Sequence, residues 1–257
     1  MDKFYNKFKG FLLDLFFPKS CLGCQKEGSY LCDDCRALLD IAEFDYCLCN
    51  TKPIRLPLSP GHPMDHTPKT GKCSKCQDKR LSGIYSALPY KETGAPGVLT
   101  RKLIYQFKYQ PYLKDLAKTL ANILVEHFVL SGKNTDEIWG NSILIPVPLN
   151  KRRLKNRGYN QSEELAKELS KILQIPVITN SLLKIKPTKS QMELSKKERE
   201  VNLRDAFIIK NPTEFVGKKV FLVDDVYTTG STMQECATVL RNSGAKQVWG
   251  IALAREE

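Results

Sequence analysis

No apolar run in this sequence approaches the ~20 residues that a membrane-spanning helix requires, which argues against an integral membrane protein built of helices. A secretory signal is missing as well. Asp14 interrupts the apolar stretch near the start and no small-residue cleavage site follows, so the expected compartment is the cytoplasm. Cysteine is almost absent beyond residue 77: eight of the nine precede it, in close pairs, and Cys236 stands alone. That confinement does not describe a disulfide scaffold, and without a thioredoxin-like βαβ context it does not describe a redox pair either. A metal in a reducing compartment remains. Acidic residues are in short supply, 28 against 40 Lys and Arg, for a net charge of +12. The excess points to anionic partners, whether phosphorylated metabolites, nucleic acid or lipid headgroups, without choosing among them. What is present, 257 residues of which 42% are hydrophobic, suffices for one large folded domain and a small one.

Residues 1–17 place Phe4, Phe8, Phe11, Leu12, Leu15 and Phe16 on one helical face, with Lys3, Lys7 and Lys9 elsewhere. Such an amphipathic helix can pack on its own protein or a partner, or lie on a membrane surface. The module expected over 18–80 carries Cys21-x-x-Cys24, Cys32-x-x-Cys35, Cys47-x-Cys49 and Cys73-x-x-Cys76. Two adjacent Cys-x-x-Cys knuckles put four thiolates around one tetrahedral ion, for which Zn²⁺ is the usual occupant. Cys21, Cys24, Cys32 and Cys35 are therefore assigned to one zinc. Cys47, Cys49, Cys73 and Cys76 form a second candidate set, with His62 and His66 as alternative ligands in the Pro-rich interval between them.

The remaining chain, 83–257, alternates strand and helix patterns, which predicts an α/β fold with a parallel sheet and helices on both faces. A strand is expected over 83–90, helices over 98–109 and 113–130, a loop over 136–141 and a strand over 142–149. A helix over 162–173 and short strands over 176–183 and 206–209 follow, then a strand from Lys219, a helix over 231–242 with Met233, Cys236, Ala237 and Leu240 buried, and a last strand over 247–254. Residues 142–257 would form the binding core, and 83–140 the helical part from which any hood over the site must come. The end of the first helix, Gln106-Phe107-Lys108-Tyr109, either lies over a ligand or simply packs.

Chemistry concentrates in Lys219-Val-Phe-Leu-Val-Asp224-Asp225-Val-Tyr-Thr228-Thr229-Gly230-Ser231-Thr232. Backbone N–H groups and hydroxyls of the Thr228–Thr232 turn can surround a phosphate at the start of a helix, with Gly230 allowing close approach. Asp224 and Asp225 sit at the carboxyl end of the strand, where open α/β sheets bind ligands. There they suit vicinal ribose hydroxyls, directly or through hydrated Mg²⁺. A second anion site is expected after 142–149. Five cations, Lys151, Arg152, Arg153, Lys155 and Arg157, lie on an expected loop ahead of Gly158-Tyr159-Asn160-Gln161 and a helix start. The long polar stretch 184–204 reads as a lid.

The Asp-Asp-x-x-Thr-Thr-Gly-x-Thr segment resembles the phosphoribosyl pyrophosphate (PRPP) signature of type I phosphoribosyltransferases. That resemblance implies Asp224 and Asp225 as catalytic residues, Thr228, Thr229, Gly230, Ser231 and Thr232 as the phosphate cradle, and Arg157, Gly158 and Tyr159 as the pyrophosphate loop. It also implies a flexible loop carrying Lys189, Gln191, Arg199 and Asn202, similar to that of glutamine-PRPP amidotransferases. Together with the zinc-ribbon-like cysteines, Ile-Pro-Val-Pro-Leu and Arg-Gly-Tyr-Asn-Gln, nearly the whole chain resembles the ComF/ComFC family. What that family implies is a role in natural competence: handling single-stranded DNA in the cytoplasm, at the inner face of the membrane, with a competence helicase as partner. The expected DNA contacts are Lys151, Arg152, Arg153 and Lys155, with Tyr159 as a stacking ring. Two departures stand out. Cys47-x-Cys49 is tighter than Cys-x-x-Cys, and Thr228 occupies the place where many nucleobase transferases carry an acidic base. Turnover by a phosphoribosyltransferase of unknown acceptor therefore stands beside two alternatives. One is a transferase of nucleotide metabolism with no DNA role, and the other is a non-catalytic DNA-binding factor with a PRPP-sensing site.

Overall fold

Apolar runs such as Ile-Leu-Ile at 143–145 and Val-Phe-Leu-Val at 220–223 have no polar face to show to water, so each must be covered on both sides by other elements. The computed structural model describes residues 18–49, 55–56, 72–90, 95–132, 136–186 and 205–256. The expected helix over 1–17, His62, His66 and the candidate lid residues Lys189, Gln191, Arg199 and Asn202 lie outside them. The strands are β1 (Asp45–Tyr46), β2 (Arg55–Leu56), β3 (Gly83–Tyr90), β4 (Ser142–Pro146), β5 (Leu182–Lys184), β6 (Phe207–Ile209), β7 (Lys219–Tyr227) and β8 (Gln247–Glu256). Six of them form one sheet in the order β2-β1-β3-β8-β7-β4, and β5 and β6 form a separate antiparallel pair. The strands β3, β8, β7 and β4 run parallel, whereas β1 is antiparallel to β3 and to β2.

Successive residues of a strand face opposite sides, and β7 shows this directly. Phe221 and Val223 join a core layer with the helices α2 (Ala95–Lys108), α3 (Leu116–Leu130) and α6 (Gln161–Leu173). Val220 and Leu222 join the opposite layer with α7 (Ser231–Asn242), whose Met233, Cys236, Ala237 and Leu240 are buried as expected. Helices on both faces of a parallel sheet result, as the α/β pattern predicts. The cysteine-rich segment contributes to both layers. Cys21 and Cys35, with Cys35 on the short helix α1 (Asp33–Ala37), pack in the first, and Cys47, Leu48 and Cys76 pack in the second.

Four expectations need correction. The loop expected over 136–141 contains the short helix α4 (Asp136–Trp139), because Trp139 turns inward to pack on Phe221 and Phe128, with ring centroids 4.8 and 5.0 Å away. The basic loop at 151–157 is a helix, α5 (Lys151–Arg157). Asn150 Oδ1 accepts from the backbone N–H of Arg152 and Arg153 and so caps its start, while Gly158 ends it in a left-handed conformation at φ 81°. The strand expected over 176–183 survives as a single parallel bridge of Val177 to Leu144 followed by β5. Prolines at 146 and 148 also stop β4 early, since each removes a ladder donor. Among the described residues no helix is long and apolar enough to cross a membrane.

Phe221 is fully buried in a central strand. Replacing it by Ala is expected to cost about 3–5 kcal/mol through lost transfer energy and a cavity. This should be read as a lowered urea midpoint with an unchanged slope.

Candidate functional site

Strand β7 carries Asp224 and Asp225 to the edge of the core, where burying two adjacent carboxylates is costly unless their oxygens find donors. Both do. Lys108 Nζ, at the end of α2, lies 3.0 Å from Asp225 Oδ1, and Gln161 Nε2 donates to Asp225 Oδ2 at 3.3 Å. Ser162 Oγ donates to Asp224 Oδ1 at 2.8 Å, and the same oxygen accepts from the backbone N–H of Asp225 at 2.9 Å. Burial, and then the neighbouring charge of Asp225, push Asp224 up to about 7 against the opposing pull of Lys108 and Ser162. Burial would lower Lys108, but the two carboxylates outweigh it and hold the ammonium above the ordinary lysine range. The acids thus form an anionic pair, Asp225 buried and Asp224 half-buried, with one cation already on it.

The turn that follows is built for close approach by an anion. Gly230 takes φ 74° and, as the residue before the 12-residue helix α7, supplies no side-chain cap of its own, although Ser231 N–H donates to Thr229 Oγ1 at 3.4 Å. Thr229 Oγ1 and Ser231 Oγ lie 2.7 Å apart, a hydroxyl pair at the same point. A Cβ at residue 230 would fall 2.3 Å from Tyr227 Oη, so the ring of Tyr227 as well as the backbone conformation demands glycine there.

Across the site, Arg157-Gly158-Tyr159-Asn160-Gln161-Ser162 divides its work residue by residue. The Gly158 N–H is spent on Leu154 O at 2.8 Å, and Tyr159 is only 8% exposed, with its hydroxyl donating to Phe107 O at 2.6 Å. Burial pushes that phenol up to about 12. Tyr159 is therefore not an exposed ring for a base, a correction that follows from the apolar pocket closing over it. Asn160 caps α6 by accepting from Ser162 N and ties itself to the end of β4 by donating to Val147 O. Gln161 and Ser162 are the two that reach the acids. Of the three residues expected to hold pyrophosphate, Arg157 keeps donor capacity. Its guanidinium stands 5.7 Å from the ring centre of Tyr109, and Nη1 is buried without a hydrogen-bond partner among the described residues. Gln161 Oε1 is in the same condition. Unmet buried groups cost about 1–3 kcal/mol each, and one donor and one acceptor left open in this way suit a polar ligand.

Lys108 belongs to the helix end expected either to lie over a ligand or to pack, and the sequence alone assigns neither it nor Gln161 and Ser162 a contact with the acids. The signal available was their position at a helix end and in the Arg-Gly-Tyr-Asn-Gln run. Lys151, Arg152, Arg153 and Lys155 are exposed along α5. Exposed rings do lie nearby: Tyr105 and Tyr109, 56% and 43% exposed, with centroids 4.9 Å apart.

The cysteines assemble into two groups, Cys21/Cys24/Cys32/Cys35 and Cys47/Cys49/Cys73/Cys76, each with its sulfurs within 4.8 Å of one another. Sulfur separations of 3.6 Å for Cys24–Cys32, 3.4 Å for Cys49–Cys73 and 3.6 Å for Cys73–Cys76 approach the edge of a zinc–thiolate tetrahedron, roughly 3.8 Å for ~2.3 Å bonds. Gly23 is required in the first knuckle, where a Cβ would lie 2.5 Å from Cys35 Sγ. Within the tight Cys47-x-Cys49 spacing the chain bends at Leu48, which enters the core. Crowded thiols cannot all ionise without a counter-charge. Despite burial, backbone N–H groups of Cys32, Cys24 and Gly23 bring Cys21 down to about 6, whereas burial and its neighbours push Cys35 up to about 12. A divalent soft-ligand ion fits both groups.

A phosphoribosyl transferase domain model matches residues 156–256, the stretch containing Arg157, Gln161, both acids and the turn. The chain is 36% identical over 215 residues to Competence protein F of Haemophilus influenzae, covering 74% of this chain and 93% of that protein. It is 30% identical over 225 residues to DNA utilization protein YhgH of Escherichia coli, covering 85% and 95%. With Competence protein ComFC of Bacillus subtilis it shares 30% identity over 102 residues, covering 40% and 39%. A match at this identity across nearly the full length of two such relatives places the chain in the ComF/ComFC family.

Proposed function

We propose that this protein binds PRPP through its phosphoribosyltransferase-like half and handles single-stranded DNA in natural competence, with zinc in both cysteine groups. The observation that carries the first part is the Asp224–Asp225 pair, furnished with donors by Lys108, Gln161 and Ser162 and followed directly by the Gly230 turn at the start of α7. In this reading the Thr228–Thr232 turn holds the 5′-phosphate, the acids hold the ribose hydroxyls, and Arg157 meets the pyrophosphate. Hydrated Mg²⁺, when bound, would neutralise the pyrophosphate and give the carboxylates water molecules to accept from. Positive charge developing at the anomeric carbon as pyrophosphate leaves would be stabilised by the same acids. The names of the relatives, Competence protein F and DNA utilization protein, support the DNA role. So do the exposed cations of α5 beside Tyr105 and Tyr109, the arrangement that binds single strands by phosphate contact and base stacking.

Isothermal titration with PRPP and Mg²⁺ tests the first part. Asp225→Ala removes a charge-assisted acceptor and strands Lys108, and should weaken binding about tenfold or more. Equal affinity in wild type and an Asp224→Ala, Asp225→Ala double variant would leave the site without a PRPP role.

Stability against pH gives an independent reading of the same acids. Because Asp224 titrates at about 7 in the fold against an ordinary 3.8, the folded state holds an extra proton between those values. Stability tied to this group is therefore full at low pH and is lost as pH rises through about 7. Asp224→Asn keeps the acceptor but not the charge, and should melt higher than wild type at pH 8, with the gap closing toward pH 4.

For DNA, each phosphate contact on a single strand contributes about −0.7 to the slope of log affinity against log salt. Replacing Lys151, Arg152 and Arg153 by Ala should make that slope shallower by up to about two units, while PRPP affinity survives. An unchanged slope and affinity would move the DNA path away from α5.

A further inference from the structure

The second cysteine group and the phosphate turn share a wall. Tyr227, the last residue of β7, is buried and donates its hydroxyl at 3.4 Å to the carbonyl of Leu48, the residue between Cys47 and Cys49. Its ring is the surface against which Gly230 is pressed, with no space for a Cβ. Paired to Tyr227 in the sheet register is Arg255, 2% exposed, whose guanidinium lies 5.1 Å from the centre of that ring. Arg255 Nη1 donates to Cys47 O at 2.8 Å, and Nη2 donates to Cys49 O. From the other half of the group, the backbone N–H groups of Arg80 and Leu81, just past Cys76, donate to Gln234 Oε1 in α7 at 2.9 and 3.2 Å.

The cysteine group therefore holds two chain segments, 47–49 and 73–81, and each grips a different side of the turn. The first grips Tyr227 behind Gly230, and the second grips α7 beyond it. An ion coordinated by all four thiolates would join the two grips, because neither pair of cysteines alone spans them. Charge argues the same way. Four thiolates around a divalent ion carry a net −2, and a guanidinium buried against two of their carbonyls is a natural complement. The first cysteine group lies in the opposite core layer.

We infer that Tyr227 and Arg255 are positioning residues that couple metal occupancy of Cys47/Cys49/Cys73/Cys76 to the anion affinity of the Thr228–Thr232 turn. The second metal is thus a working part of the phosphate site, and this inference rests on the PRPP reading above. Linkage is reciprocal. If the metal tightens PRPP binding, PRPP must retain that metal by the same factor, and retain it only in the second group.

The test uses the full-length, zinc-loaded protein. Zinc transfer to a colorimetric chelator is followed with and without PRPP, and PRPP affinity is measured by titration calorimetry for wild type, Cys49→Ser, Arg255→Met and Arg255→Lys. In wild type, PRPP should slow the release of one zinc and leave the other unchanged. Cys49→Ser should lose the PRPP-sensitive phase and bind PRPP about tenfold more weakly. Arg255→Met, with all four thiols intact, should lose most of the protection and a similar factor in affinity, and Arg255→Lys should recover part of both. If Cys49→Ser does not fold, the wild-type release curves and the Arg255 pair decide. PRPP slowing both phases equally or neither, or Arg255→Met behaving as wild type, overturns the inference while the PRPP reading stands. Failure of zinc-loaded wild type to bind PRPP overturns the reading and this inference with it.

Discussion

Two adjacent carboxylates at the end of an otherwise apolar strand are the constraint to which the surrounding structure answers. Desolvating Asp224 and Asp225 together is unfavourable enough that two other elements must reach them. The end of α2 supplies Lys108, and the first turn of α6 supplies Gln161 and Ser162. Those contacts fix where α2 stops and where α6 starts, and Asn160 adds a tie to the end of β4. A fold organised only for stability would place apolar side chains at these positions. Keeping a strained pair of acids at the carboxyl end of a parallel sheet is what a ligand site costs.

The cysteine groups extend this logic to the outside of the sheet. Each binds short, loosely structured chain to one core layer, and neither segment has enough regular structure to hold itself there. On the α2–α3 side, Arg36 of α1 pairs with Glu126 of α3, and Leu31, Cys35 and Leu39 complete the packing. On the α7 side, buried Arg255 and Leu48 do the corresponding work. Because the second side also backs the Thr228–Thr232 turn, scaffold and candidate site cannot be separated there.

The division between what could be read in advance and what could not follows interaction range. The β7–α7 unit was legible: an unbroken apolar run, acids, hydroxyls, a glycine and a helix whose buried face falls at Met233, Cys236, Ala237 and Leu240 all lie within one local stretch. The four cysteines at 21–35 were legible from spacing alone. Residues 151–157 were misread as a loop because a run of cations looks solvated, although Asn150 ahead and Gly158 behind are the marks of a capped helix.

Periodicity, the φ restrictions of glycine and proline, and ligand spacing are properties of neighbouring residues, so the sequence by itself determined the fold class, the glycine turn between β7 and α7 and the first cysteine group. Which residue neutralises Asp225, which tyrosine is covered and which stays open, and which arginine backs the second cysteine group depend on the order β3-β8-β7-β4 and on the layer each helix occupies. Lys108 meets Asp225, and Arg255 meets Cys47, across more than a hundred residues of chain. Pairings at that separation carry no local periodicity, and only the closed packing of the sheet and its two helical layers decided them.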